Sequence, residues 1–331
     1  MGVRLAGAID PGTAREEADG PVGWTCALVN NMPDAAFGAT ERQFVDLLDA
    51  GSGCETVVLT RHTMAGVPRG ERIRARITAE YRPLGDIMSD PPDLLVVTGS
   101  NPIESRVEDE PYWSDLCGLL RWGSENVPAM VLSCLSAHAA LAVFDGLERT
   151  TLPVKCTGVF AQEAHPTHPL VAGFDGSVVL PHSRLNTVPV EAVAAAGYAV
   201  ALQSEEVGWS VVTRTVGRSE VVLVQAHPEY DPSSLLREYG RDVRRYAGHE
   251  RDELPCLPRD CVAGPDWDGL RRLHERVVSG ERDAALVAAF PFDEVGARAP
   301  WPWRDAALRL YANLLGTIPK RLLCTIQKRS A

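Results

Sequence analysis

The stretch PAMVLSCLSAHAAL, from Pro128 to Leu141, reads as a buried strand, a tight turn and a helix. Ala129 to Leu132 are apolar without a break, Ser133 and Cys134 end the run, and Ala137, Ala140 and Leu141 recur at helical spacing. A cysteine at such a turn stands at the top of a parallel sheet, facing the first backbone N–H groups of the helix. Their partial positive charge favours a thiolate and can hold an oxyanion. A buried core cysteine is the competing reading, because free cysteine is among the most buried residue types. A second strand-end motif lies far downstream. Val221 to Ala226, VVLVQA, runs into His227-Pro228-Glu229-Tyr230-Asp231. That places an imidazole and a carboxylate at the carboxyl end of the sheet, where α/β folds carry their chemistry. The imidazole can take a thiol proton and the carboxylate can orient the ring.

The composition of this 331-residue chain, 45% hydrophobic and 23% charged, suits a soluble globular protein. Its net charge of −11 argues against nucleic acid or an anionic membrane as partner, because phosphate binding needs concentrated Lys and Arg. No segment is apolar for long enough to span a bilayer, and residues 1–23 read as a loose lead-in. The eight cysteines lack a CxxC pair or a tight Cys/His cluster, which favours reduced thiols in the cytoplasm and no metal site. Cys256 and Cys261 flank LPRD, which adds no further ligand.

The elements alternate. Trp24–Val29, Glu55–Leu59 and Asp93–Thr98 read as strands, and Thr40–Leu48, capped at Thr40, and Glu110–Trp122 as helices. The pattern predicts an α/β fold with a doubly wound, mostly parallel sheet. Val178–Leu180, Ala199–Gln203, Gly208–Thr213 and Val221–Val224 are expected to extend the same sheet toward its edge. Ser233–Tyr246 reads as a helix and Gly248–Pro265 as a loop or insertion. Asp266–Ser279 reads as a charged, solvated helix and Trp301–Leu315 as a final amphipathic helix.

Several short motifs occur together in one order: Asn31-Met32-Pro33, ERQF at Glu41–Phe44, Val97-Thr98-Gly99 leading to Tyr112-Trp113, and Cys134 ahead of Ala139-Ala140-Leu141. Gly158-Val159, Pro181-His182-Ser183-Arg184, His227 to Asp231, and Phe290-Pro291 with the Trp301 helix follow. In this order and spacing the chain resembles the homoserine O-succinyltransferase family. The resemblance covers about residues 24–318 as one acyltransferase domain, with an insertion at about 248–285 and a tail at 319–331. It implies a class-I glutamine amidotransferase-like, flavodoxin-like three-layer fold. It also implies a ping-pong transfer from acyl-CoA to the hydroxyl of homoserine or a related hydroxy amino acid such as serine. This is the usual entry to sulfur assimilation and methionine biosynthesis. Acyl-CoA is then a co-substrate, no cofactor is implied, and the resemblance suggests a homodimer.

Carried over by position, Cys134 is the nucleophile that becomes the acyl-thioester, His227 the general base and Glu229 its orienting partner. Lys155 and Ser183 match positions that contact substrate, and Arg241 matches the arginine that holds the amino acid. A guanidinium suits a bidentate grip on an α-carboxylate. Activity is expected to fall as His227 becomes protonated at acid pH.

The family's donor selector lies in the loop after Thr-Gly, here Ser100 to Ser105. An ungapped match puts Ile103 at the selector and a one-residue slip puts Glu104 there. A bulky residue crowds a succinyl carboxylate and a glutamate repels it. Acetyl-CoA is therefore expected to serve at least as well as succinyl-CoA. Leu135 after the nucleophile and an apparently longer loop at Asp34–Ala39 depart from the family pattern and leave the acceptor open. The competing functions are a glutamine amidotransferase-type amide hydrolase, disfavoured by the lack of an ATP-binding P-loop, and a binding protein that kept the fold.

Overall fold

The computed structural model describes residues 2–6, 22–104, 106–174 and 178–318. Ten strands form one sheet: β1 (Val3–Ala6), β2 (Val22–Val29), β3 (Thr56–His62), β4 (Leu94–Val97), β5 (Ala129–Ser133), β6 (Thr150–Ala164), β7 (Val178–Thr187), β8 (Ala199–Ser204), β9 (Gly208–Val216) and β10 (Ser219–Val224). Their order is β1-β3-β2-β4-β5-β10-β9-β8-β6-β7. The six strands from β1 to β10 are mutually parallel, and the remainder pair antiparallel. The mostly parallel α/β architecture is the expected one, and the strands after Thr150 do extend the same sheet.

The helices are α1 (Asp34–Gly51), α2 (Glu71–Glu80), α3 (Gly85–Ser89), α4 (Trp113–Asn126), α5 (Leu135–Asp145), α6 (Val190–Ala195), α7 (Ser234–Ala247), α8 (Gly264–Val278), α9 (Ala284–Ala288), α10 (Phe292–Arg298) and α11 (Arg304–Thr317). Apolar residues on both faces of the parallel strands build two cores, as helices on both sides require. Along β2, Trp24, Cys26 and Leu28 enter one cluster with α1, α7 and α11, while Ala27 and Val29 enter the other with α4 and α5. β5 divides in the same way, Ala129 and Val131 against Met130 and Leu132.

Three expectations change. Val3–Ala6, within the segment read as a loose lead-in, pairs with β3 as an edge strand. Helix α1 begins at Asp34, directly after an extended Pro33, so the stretch read as a loop before Thr40 is helical. Phe37, Glu41, Phe44 and Leu48 form its buried stripe, and Gly38 and Thr40 had disguised the first turns. The helix read as a solvated face, now α8, buries Leu270, Leu273 and Val277 in the first core. Between α7 and α8, Arg259 exchanges backbone hydrogen bonds with Thr157 and Val159 of β6. The tail at 319–331 lies outside the described residues.

Candidate active site

Cys134 stands between β5 and α5 with φ 52° and ψ −109°, a backbone conformation that non-glycine residues rarely adopt. The elbow is held from three sides. Cys134 N donates to Val224 O at the end of β10 (2.7 Å), and the Ser136 hydroxyl reaches Val97 O of β4 (2.7 Å). A Cβ added to Gly99 would stand 3.3 Å from Cys134 Cβ, a tight approach, so the backbone of Gly99 packs directly against the elbow. The side chain is partly exposed while all of β5 is buried. Ala137 and His138 already donate to Cys134 O, which leaves the amides of Leu135 and Ser136 as first-turn donors for an oxyanion.

His227 comes to this elbow because β10 lies next to β5, and its own amide donates to Pro181 O of β7 (2.8 Å). Its Nδ1 lies 2.7 Å from Glu229 Oε1, and its ring stacks on Tyr230 with 4.3 Å between centroids. Nε2 is buried without a protein hydrogen-bond partner of normal geometry. Burial alone would lower the imidazole pKa. The charge of Glu229, then that of a Cys134 thiolate, outweighs it and holds His227 well above the usual histidine value. Glu229 thus favours the imidazolium form of His227, the form that results when the ring takes a proton from a neighbouring thiol.

Lys155 and Ser183 converge on Glu238, a residue that sequence reasoning passed over in a charge-rich helix. Lys155 Nζ lies 3.5 Å from Glu238 Oε2 and 3.4 Å from Asp242 Oδ2, and the Ser183 hydroxyl donates to Glu238 Oε2. Tyr230 OH donates to Glu238 Oε1 (2.5 Å), so the ring that stacks on His227 joins the two clusters. Burial pushes the Glu238 carboxyl upward, but Lys155 and then the hydroxyls of Ser183 and Tyr230 prevail and hold it below the usual range. Arg241, one turn further along α7, is paired with Asp242 at 3.0 Å and is partly exposed. Beneath the site, His182, Ser210 and Gln162 form one buried hydrogen-bonded chain, and His138, Gln225 and Trp209 form another.

Ile103 and Glu104 are exposed, on the loop after β4. Their amides both donate to Glu110 Oε1, at 2.7 and 2.9 Å, so Glu110 and not the selector side chains fixes that loop. Among the described residues no group of three or more His, Cys, Asp or Glu is arranged to hold a metal ion.

The family model described as homoserine O-succinyltransferase matches residues 16–320. A relative of that name from Methylorubrum extorquens is 39% identical over 297 residues, covering 89% of this chain and 87% of the relative. Another from Rhodopseudomonas palustris is 40% identical over 264 residues, covering 80% and 79%. Among solved structures, a glutamine amido transferase from Methylobacillus flagellatus is 16% identical, with a TM-score of 0.47, over 91% of this chain and 96% of that one.

Proposed function

The chain belongs to the homoserine O-succinyltransferase family and is an acyltransferase, and from that premise we propose that it transfers a succinyl group from succinyl-CoA to the hydroxyl of homoserine through a Cys134 thioester. The observation that carries this is the strained elbow cysteine beside a buried His227–Glu229 pair. The Cys134 thiolate attacks the thioester carbonyl, and the first amides of α5 receive the oxyanion. As the intermediate collapses, the C–S bond to CoA breaks and His227 gives its proton to the departing sulfur. The sulfur of Cys134 is now uncharged, and one support of the raised imidazole pKa is gone. Neutral His227 then takes the proton of the homoserine hydroxyl, whose oxygen attacks the thioester. Release of the ester restores thiolate and imidazolium.

Glu238 is suited to the ammonium of the amino acid, since Ser183 and Tyr230 already hold it as a carboxylate. Arg241 is suited to the α-carboxylate by exchanging it for Asp242. The loop residues Ile103 and Glu104 favour a second donor, acetyl-CoA, because a glutamate there would repel the succinyl carboxylate.

Intact mass after incubation with succinyl-CoA alone tests the covalent step. The enzyme is expected to gain one succinyl group, and Cys134→Ala none. Transfer retained by Cys134→Ala would refute the thioester. Steady-state rates with succinyl- and acetyl-CoA against homoserine and serine identify donor and acceptor, and a strong succinyl preference would remove the acetyl reading.

A further inference from the structure

A pocket of about 360 Å³ opens between α1, α2 and α7, and four arginines line it: Arg42, Arg72, Arg76 and Arg237. In a chain with a net charge of −11 such a concentration of guanidinium groups stands out. Arg76 is shared with Glu41 and Glu80, and Arg237 with Asp231. Arg42 and Arg72 are exposed and form no ion pair among the described residues. The floor is bare helix. Arg76 Nη1 and Arg42 Nη1 lie 3.2 and 3.6 Å from where a Cβ of Gly38 would stand, so two guanidinium groups converge over one glycine. The single carboxylate in the lining, Asp34, is turned to the amide of Gly70 and to Arg69. Arg42 and Arg72 thus bring two guanidinium groups to the pocket that no carboxylate among the described residues engages in an ion pair, and planar guanidinium groups suit the bidentate binding of phosphate.

The position supplies the occupant. The pocket adjoins the start of α1, just after the carboxyl end of β2, on the same lip of the sheet as Cys134. Asn31 N donates to Thr98 Oγ1 (2.9 Å), and Gly99 packs on Cys134, so the ends of β2, β4 and β5 form a continuous rim. Two strand spacings, about 10 Å, separate β2 from β5, less than the extended length of a pantetheine arm. We propose that this pocket holds the phosphates at the nucleotide end of the acyl-CoA donor, with the arm crossing the rim to Cys134. The proposal rests on the acyl-CoA reading given above.

Wild-type transfer from succinyl-CoA to homoserine is measured first, because its absence would count against that reading and not against the pocket. Calorimetry with the adenosine bisphosphate that ends CoA reports on the pocket in either case. Arg42→Gln/Arg72→Gln is expected to raise KM for succinyl-CoA about tenfold with kcat nearly unchanged, and to weaken bisphosphate binding by a similar factor. KM for succinyl-pantetheine, which carries no nucleotide, is expected not to move. Both arginines are exposed, and an unchanged melting temperature excludes misfolding; the single Arg72→Glu variant serves as a second test with the same expected direction. An unaltered KM for succinyl-CoA or an unaltered bisphosphate affinity would overturn the assignment. So would competition by inorganic phosphate as strong as that by the bisphosphate, which would mark a general anion pocket.

Discussion

A methyl group added at Gly99 probes how finely the elbow is set. Its Cβ would meet Cys134 Cβ at 3.3 Å and Ser133 O at 3.5 Å, close enough to displace the nucleophile by a few tenths of an ångström. Gly99→Ala is expected to lower kcat by roughly tenfold or more with little change in melting temperature, since a small misplacement of a reacting atom costs far more rate than stability. Glu229→Gln keeps a hydrogen-bonding group beside Nδ1 but removes its charge. It is expected to lower kcat by roughly two to four orders of magnitude, as measured by steady-state assay. The raised pKa of His227 has a sign that can be read in the first half-reaction. If the imidazolium protonates the departing CoA as proposed, its raised pKa keeps it charged above the ordinary histidine range, so rapid CoA release should decline only at a pH well above 6.5. Transfer to homoserine needs the neutral ring and should decline on the acid side; one shared midpoint near 6.5 for both steps would contradict this. Cys134, His227 and Glu229 were legible because each follows an apolar strand run, which fixes its place in any α/β sheet. Glu238 was not, because only the fold brings Lys155 of β6, Ser183 of β7 and Tyr230 to one carboxylate among the many charges of α7.

At the scale of elements, α1 is tied down through a carboxylate on its inner face. Glu41 is 5% exposed; it receives Arg61 at 3.1 Å, Arg76 at 2.8 Å and the hydroxyl of Tyr81. Glu41→Ala would leave Arg61, itself 6% exposed, without its buried counter-ion. A loss of about 3 kcal/mol in urea unfolding is expected, and Glu41→Gln, which removes the same charge, should recover only the part that a neutral hydrogen-bond acceptor supplies. A loss under about 1 kcal/mol would mean that Glu80 alone satisfies Arg61. The same helix sends Gln43 to Asp231 and Ser234 at 3.1 and 2.8 Å, linking α1 to the start of α7. ERQF was visible as a motif, yet its role was not, since two of these partners lie on α2 and the loop after it. Periodicity located most strands, and it erred where a terminal Pro, a glycine or a charged outer face concealed a buried stripe, as in α1 and α8.

For the molecule as a whole, acid stability follows from three histidines buried without charge. Burial pushes His62 and His138 down to about 4, and His182, additionally beside Arg184, well below the usual value. The unfolded chain gains protons below about 6.5 that the folded chain refuses, so stability present above that pH is lost as pH falls toward 4. Melting temperatures should already drop between pH 6.5 and 5, above the range in which most carboxylates titrate. His227 contributes with the opposite sign: its share is complete below about 6.5 and drains away as the pH climbs through its raised pKa. The adjacency of β5 and β10 has a temporal consequence as well. Four strands, β6 to β9, intervene in the chain between these two neighbours. A nascent or nicked polypeptide that has placed Cys134 but not yet inserted its last central strand lacks the imidazole altogether. On the proposed thioester route, the sulfur therefore meets its proton acceptor only when the last central strand is in place.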